Sequence, residues 1–197
     1  SWIAHRGYPQ HYPENSAVGI SAALACGALW IEIDVQLTAD HVPIIIHDAH
    51  TARVSSVNCN VLNTRWQQLS QLDNSEPKRF ADTFKDCRFS ALENLACLFT
   101  NYPTAQCMVE IKKESINAFG TDICFTQIKQ ALGAFIDRCL IISFDCYALA
   151  QIHPNHIPRI APVLSNWRQR RQIMAQLPHA EILLCNYRCI NTAQIRC

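Results

Sequence analysis

Short apolar runs alternate along the chain with longer stretches in which apolar residues recur at helical spacing, the pattern of βα units repeated around a parallel sheet. The runs predict strands near Trp2–His5, Leu29–Val35, Pro43–His47, Gln106–Ile111, Cys139–Ser143, Arg159–Val163 and Glu181–Asn186. Between the first two, Asn15 and Ser16 provide a cap for a helix from Ala17 to Cys26, which stops at Gly27, a residue that tolerates a left-handed C-terminal conformation. Further helices are predicted over Ala91–Thr100, Asn117–Leu132, Tyr147–Ile152 and Trp167–Gln176. Seven strands with intervening helices point to a TIM-type (β/α)8 barrel rather than an open doubly wound sheet.

No eighth unit is visible before Cys197. The expectation is a barrel lacking its last βα unit in this chain. It is completed by residues outside the sequence or by a partner chain, or it stays open with compromised activity, since strands one and seven would otherwise carry bare edges and apolar surface. The segment Asp48–Arg88 is long, polar and weakly periodic, with Trp66, Leu69 and Leu72 as anchors. It reads as an elaborated loop on the barrel rim.

With 197 residues, 49% of them hydrophobic, the chain can bury one sizeable core, so a single domain over residues 1–197 is expected. The net charge of +1 recommends neither nucleic acid nor an anionic membrane as partner. Any recognition of negative charge has to be local. No apolar run approaches the roughly 20 residues that span a bilayer, and no leader-type segment opens the sequence. The 11 cysteines are odd in number and lack a Cys-x-x-Cys pair, and Cys26, Cys107, Cys139 and Cys185 sit in apolar stretches. That usage suits reduced, buried thiols and a cytoplasmic protein without stable membrane insertion. It leaves the oligomeric state open.

Four stretches at predicted strand ends carry chemistry: His5-Arg6-Gly7, Glu32-x-Asp34, His47-Asp48 and Glu110-x-Lys112. In a parallel barrel the strand C-termini open on one face, so all four converge. Glu32 and Asp34, two apart on a strand, share a face and repel unless a cation sits between them. With Glu110 they form a hard oxygen site for one divalent cation, Mg²⁺ or Ca²⁺. His5 and His47 titrate near neutrality and can act as an acid/base pair, while Arg6 and Lys112 offer positive donors to a phosphate. Together these groups describe phosphate-ester hydrolysis.

The blocks His5-Arg6-Gly7, Pro13-Glu14-Asn15-Ser16, Glu32-Ile-Asp34-Val-Gln-Leu-Thr38-x-Asp40 and Pro43-Ile-Ile-Ile-His47-Asp48 resemble the glycerophosphodiester phosphodiesterases in order and spacing. Glu110-Ile-Lys112 and Ile142-Ser143-Phe144-Asp145 look like later strand motifs of that family. The resemblance implies a barrel of the PLC-like phosphodiesterase kind that cuts a small glycerophosphodiester to sn-glycerol 3-phosphate and an alcohol. It also implies His5 and His47 as acid and base in an unassigned order, Arg6 and Lys112 as phosphate contacts, and Glu32, Asp34 and Glu110 as metal ligands. Attack by the glycerol 2-hydroxyl through a cyclic phosphate and direct attack by water both stay open. Two departures are visible: Asp40-His41 stands where the family often has Asp-Gly, making His41 a turn residue, and Ser90-Ala-Leu-Glu-Asn94 lacks a proline before its leucine.

The competing readings are a lysophospholipase D or phosphatidylinositol-specific phospholipase C type of enzyme, and a non-catalytic remnant that binds phosphodiesters. The polar Asp48–Arg88 segment leans toward a water-soluble substrate. Arg168, Arg170 and Arg171 read as a solvated helix face, His50, His153, His156 and His179 as surface residues, and Cys185 with Cys189 as no metal site. Arg53 is placed outside the core set of site residues.

Overall fold

The computed structural model describes residues 2–152, 159–180, 182–186 and 188. Its strands are β1 (Ile3–His5), β2 (Trp30–Leu37), β3 (Pro43–Ile45), β4 (Gln106–Ile111), β5 (Cys139–Ser143), β6 (Ile160–Leu164) and β7 (Leu184–Cys185). They form one 7-stranded sheet of order β1-β2-β4-β5-β6-β7, with β3 attached to β2 off this path. Every neighbouring pair on the path is parallel. The sheet is the wall of an open (β/α) barrel, with β1 and β7 at its two ends among the described residues.

Pro43–His47 is therefore no barrel strand. Its core, β3, runs antiparallel to β2, with Val35 facing Ile45 and Leu37 facing Pro43. The connection explains this, because a parallel crossover takes about a dozen residues or more and only the short turn from Thr38 to Val42 lies between. Thr38 closes that turn, its carbonyl accepting from His41 N at 2.9 Å and its hydroxyl from Val42 N at 3.0 Å. His41 sits at a left-handed φ of 60°.

Strand alternation sorts the sheet into two faces. Ile31, Ile33 and Val35 of β2 pack with Val109, Ile111 and Ile141 in the main core beneath the helices. Each such aliphatic side chain contributes roughly 1.5–3 kcal/mol by leaving water. On the other face Met108, Leu140, Ile142 and Ala161 cluster with Trp30, Val163 and Leu184 and line the barrel interior. Arg159 closes the lower end, donating to Gln106 at 2.7 Å and lying over the Trp30 ring at 5.6 Å. The interior is thus plugged below, and polar groups are left for the strand C-termini.

The helices are α1 (Ala17–Ala25), α2 (Trp66–Leu69), α3 (Pro77–Phe80), α4 (Leu95–Leu98), α5 (Lys113–Phe119), α6 (Thr121–Leu132), α7 (Cys146–Ala150) and α8 (Arg170–Gln176). Ser16 alone caps α1, its hydroxyl accepting from Gly19 N at 3.0 Å; Asn15 turns away at a left-handed φ of 51°. The helix predicted over Asn117–Leu132 is two helices and begins earlier. Gly120, at φ 85°, separates α5 from α6 in a conformation costly for any residue with a side chain. Ala91–Thr100 and Trp167–Gln176 each open with a 3₁₀ turn before α4 and α8.

Residues 48–88 fold over a small core of their own, in which Val54, Val61 and Leu69 join Ile44, Ile46 and Phe89, with Trp66 and Leu72 packed against it. Among the described cysteines, Cys107 and Cys139 are buried, whereas Cys26 at the end of α1 is exposed and Cys185 half-buried. No helix among the described residues is long and apolar enough to cross a membrane.

Candidate active site

At the end of β1 the chain turns sharply. Arg6 and Gly7 both adopt left-handed φ values, 58° and 86°. Gly7 is required there for a second reason, since a Cβ on it would meet the Gly19 backbone of α1 at 2.8 Å. The turn is held by Arg6 N, which donates to the Glu32 carbonyl at 2.8 Å and to its carboxylate at 3.2 Å.

Parallel register sets Asp34 beside Glu110 and His5 beside Glu32. Glu32, Asp34 and Glu110 are buried, with carboxylate oxygens all within 4.8 Å of one another. Three buried acids this close cannot all keep their charge without compensation. Burial first, then the charges of Asp34 and Glu110, push Glu32 up to about 8. Glu110 is raised as well, burial outweighing the hydrogen bond and charge of Lys112. The compensation comes from Lys112 Nζ, which donates to Glu110 at 2.6 Å and to Asp34 at 3.2 Å. Burial opposes the charge on Lys112, yet the two carboxylates overcome it and hold its pKa above the ordinary value. Arg6 adds a second cation, its Nε 3.0 Å from Asp34 Oδ2 but without hydrogen-bond geometry. Three hard oxygen donors with a charge deficit suit a divalent cation of the Mg²⁺ or Ca²⁺ kind.

His5 Nε2 lies 3.7 Å from Glu32 Oε2. Burial, and then the charge of Arg6, lower its pKa. His47 reaches the same end of the barrel by a different route. Because β3 doubles back, Ile46 N donates to the Asp34 carbonyl at 2.9 Å, and the His47 carbonyl accepts from Gln36 Nε2 at 3.2 Å. The His47 ring then contacts Asp48, Nδ1 to Oδ1 at 2.6 Å.

Groups that sequence reasoning left without a role complete the ring. Arg53 Nε donates to Asp48 Oδ2 at 2.7 Å. Its Nη2 donates to Glu14 Oε1, also at 2.7 Å, and Arg6 Nη1 reaches that same oxygen at 3.1 Å. Asn15 grips Asp34 twice, Nδ2 donating to Oδ2 at 2.9 Å and Oδ1 accepting from Asp34 N at 3.1 Å. Behind them Glu76, at a left-handed φ of 47°, accepts from Glu14 N at 2.5 Å and pairs with Arg79. Thus His5, Arg6, Glu32, Asp34, Glu110 and Lys112 touch one another in a continuous chain, and His47 joins it through Asp48, Arg53 and Glu14. Glu14 and Asn15 stand inside a quoted sequence block, but nothing in their spacing announces contacts to a loop nearly 40 residues away. His50 and His179 are exposed; His153, His156 and Cys189 lie outside the described residues. Arg170 stacks on Trp167, 5.1 Å from the ring centre.

An open (β/α) barrel that gathers acids, histidines and cations at the C-terminal end of its wall has the layout in which barrel enzymes place their active sites. The model of the glycerophosphoryl diester phosphodiesterase family matches residues 5–180, and the chain belongs to that family. It is similar to a glycerophosphodiester phosphodiesterase of Bacillus altitudinis, 30% identical over 153 residues, which cover 77% of this chain and 60% of the relative. It also resembles glycerophosphodiester phosphodiesterase 1 of Rattus norvegicus, 31% identical over 103 residues, 51% of this chain and 31% of that protein. The chain thus spans less than two thirds of the length of either relative. Among solved structures, a phosphodiesterase of Oleispira antarctica in complex with the product sn-glycerol-3-phosphate superimposes with a TM-score of 0.82 at 22% identity, covering 98% of this chain and 77% of that one. A glycerophosphodiester phosphodiesterase of Agrobacterium tumefaciens gives 0.71 at 22% identity, covering 93% and 75%. These likenesses establish the fold.

Proposed function

We propose that this chain hydrolyses glycerophosphodiesters to sn-glycerol 3-phosphate and an alcohol, with Glu32, Asp34 and Glu110 holding one divalent cation. The observation that carries the reading is the meeting of three buried carboxylates within 4.8 Å with a lysine, an arginine and a histidine against them. A cation bound there, Mg²⁺ or Ca²⁺, supplies Lewis-acid stabilisation of charge on the phosphoryl oxygens.

The chain's own residues do the rest. Lys112 and Arg6 offer donors to the non-bridging phosphoryl oxygens, point-like from the ammonium and planar from the guanidinium. His47, with Nδ1 directed at Asp48, keeps Nε2 for proton transfer. One of His5 and His47 takes the proton from the attacking oxygen, water or the glycerol 2-hydroxyl, as the P–O bond forms. The other returns a proton to the departing alcohol oxygen as its bond to phosphorus breaks; where the 2-hydroxyl has attacked, water then adds to phosphorus as the bond to O2 breaks, with the two histidines exchanging roles, to give glycerol 3-phosphate. The lowered pKa of His5 favours its neutral form, the form required of the base.

Release of glycerol 3-phosphate from glycerophosphocholine and glycerophosphoethanolamine by the purified chain tests this directly, with Mg²⁺, with Ca²⁺ and with excess chelator. Cation-dependent release that vanishes in His47→Ala is the expected result. A folded chain that binds cation and releases nothing from any head group would overturn the proposal.

A further inference from the structure

We infer that Gln36 is a positioning residue for the proposed hydrolysis: its side-chain amide holds the main chain of His47 at the barrel mouth and so sets where the imidazole stands. The inference rests on the hydrolase reading above and deepens it. Alternation along β2 puts Gln36 on the face of Glu32 and Asp34, one step nearer the C-terminal end. The third position of that row is thus an amide with the shape of a glutamate, and it is 0% exposed. An amide taken fully out of water is unfavourable unless its nitrogen and oxygen find partners. Both do. Nε2 donates to the His47 carbonyl at 3.2 Å, and Oε1 accepts from Ser115 Oγ at 2.5 Å. Ser115 Oγ itself accepts from Leu37 N at 2.8 Å, which leaves its own proton for Gln36. A carbonyl at one end and a hydroxyl donor at the other fix which way the amide faces.

The base of this side chain is held from both sides. The Val35 carbonyl accepts from Lys112 N at 3.1 Å and Leu37 N donates to Ser115, so both neighbours of Gln36 in β2 are tied to the start of α5. Lys112 directly precedes that helix and Ser115 lies in its first turn. What the amide reaches is the point where the chain leaves the hairpin ladder. Gln36 has Ile44 as its partner there, and Val35 has Ile45. Continued in that register, His47 would stand opposite Ile33, three residues and roughly 10 Å back along β2, beyond the reach of a glutamine side chain. The 3.2 Å contact therefore places a turn toward the mouth after Ile46, whose N still donates to the Asp34 carbonyl at 2.9 Å. Gln36 takes the place of a strand partner for the residue that swings away. Lys112, offered to the phosphate, and His47, offered to the proton, are in this way both referred to the same three residues of β2.

Two variants test this. Gln36→Met keeps the length of the side chain and removes both bonds, and Gln36→Glu keeps its shape but sets a carboxylate oxygen against the His47 carbonyl. Each is compared with the wild type in hydrolysis of glycerophosphocholine at saturating Mg²⁺ or Ca²⁺. Each is also compared in the imidazole NMR spectrum, where the His47 signals are those missing from His47→Ala. The expected result is a kcat lower by about 10–100-fold with KM within about twofold of the wild type, the scale of a group displaced by about an ångström. The His47 signals should shift while those of the exposed His179 stay in place. An unchanged kcat, a loss carried by KM alone, or a lower kcat with unmoved His47 signals overturns the inference and leaves the hydrolase reading intact. Should neither variant melt cooperatively, Ser115→Ala, which releases Oε1 with Gln36 in place, gives both readouts at smaller size, about threefold in kcat. Should the wild type cut nothing, the hydrolase reading falls, and the NMR comparison alone decides whether Gln36 holds His47.

Discussion

The guanidinium of Arg53 donates to the carboxylate of Glu14 at 2.7 Å, across a separation of 39 residues. This contact joins the β1 turn, which carries His5 and Arg6, to the rim segment whose first residue, Asp48, positions His47. Burial opposes the charge on Glu14, but the hydrogen bond from Arg53 and the charge of Arg6 keep its pKa below the ordinary value. Arg53 reciprocally holds its proton more tightly than a free arginine.

Arg53→Met leaves the Glu14 carboxylate with Arg6 alone and that of Asp48 with His47 alone. We expect a loss of about 1–3 kcal/mol in unfolding free energy and a fall in turnover. Arg53→Lys restores charge without the two-pronged geometry and recovers only part of either. Urea unfolding alongside steady-state kinetics checks both, and an unchanged kcat in Arg53→Met would show that the bridge has no bearing on His47.

Asp48→Asn keeps the shape beside His47 and removes the charge that directs Nδ1. Turnover is expected to drop by about 10–100-fold with KM little changed, and the pH–rate profile should shift. Equal profiles for the variant and the wild type would remove Asp48 from the positioning of His47.

Cation binding is read without activity by thermal unfolding. Saturating Mg²⁺ or Ca²⁺ should stabilise the chelated protein, by about 2.7 kcal/mol at a hundred times the dissociation constant. Glu32→Gln, which relieves the crowding of acids that pushes Glu32 to about 8, should melt higher than wild type in chelator and lose its response to the ion. A variant that melts lower in chelator and still responds would rule out Glu32 as a ligand.

Asp73 clamps the rim segment, accepting from Ser56 N at 3.0 Å and from Ser55 and Ser75 hydroxyls at 3.0 and 2.5 Å. Partial burial opposes its charge, but these hydrogen bonds prevail and draw its carboxyl down to about 2. Its pKa is depressed in the folded state, so its contribution is complete above the unfolded value near ~4. It is lost as pH falls through about 2. Asp73→Asn should cost at most about 1 kcal/mol at neutral pH, since solvent screens the site, and the gap to wild type should close on acidification below pH 4. A gap independent of pH from 2 to 6 would contradict this.

Gly7→Ala places a methyl against the Gly19 backbone at a positive φ. Both penalties act together, and a destabilisation of roughly 2–4 kcal/mol is expected. Chemical denaturation measures it; a loss under 0.5 kcal/mol would mean that the β1 turn and α1 move apart easily.

Much of the wall was legible because alternation and burial coincide: β2, β4 and β5 lie where their apolar runs place them, and the spacing of Glu32, Asp34, Glu110 and Lys112 follows from the two-residue period alone. Direction was not legible. Pro43-Ile-Ile-Ile-His47 has the composition of any buried strand, and only the shortness of the link from Leu37 to Pro43 reveals that it must run backwards. Glu14, Asn74 and Glu76 escaped notice for another reason. Their partners are brought near by the folding of residues 48–88 over a private core, and no local periodicity encodes such a contact. Asn74, for example, donates to the Glu14 carbonyl at 3.3 Å from 60 residues away.

The antiparallel return of β3 also works as a ruler. A strand advances about 3.4 Å per residue and alternates its faces, so the turn from Thr38 to Val42 fixes both the height and the facing of His47 relative to Asp34. One residue added to that turn would carry the histidine to the opposite side of the hairpin; two would restore the facing and overshoot the height. Beyond Asp48, by contrast, the rim segment can lengthen or shorten without changing the register that sets His47.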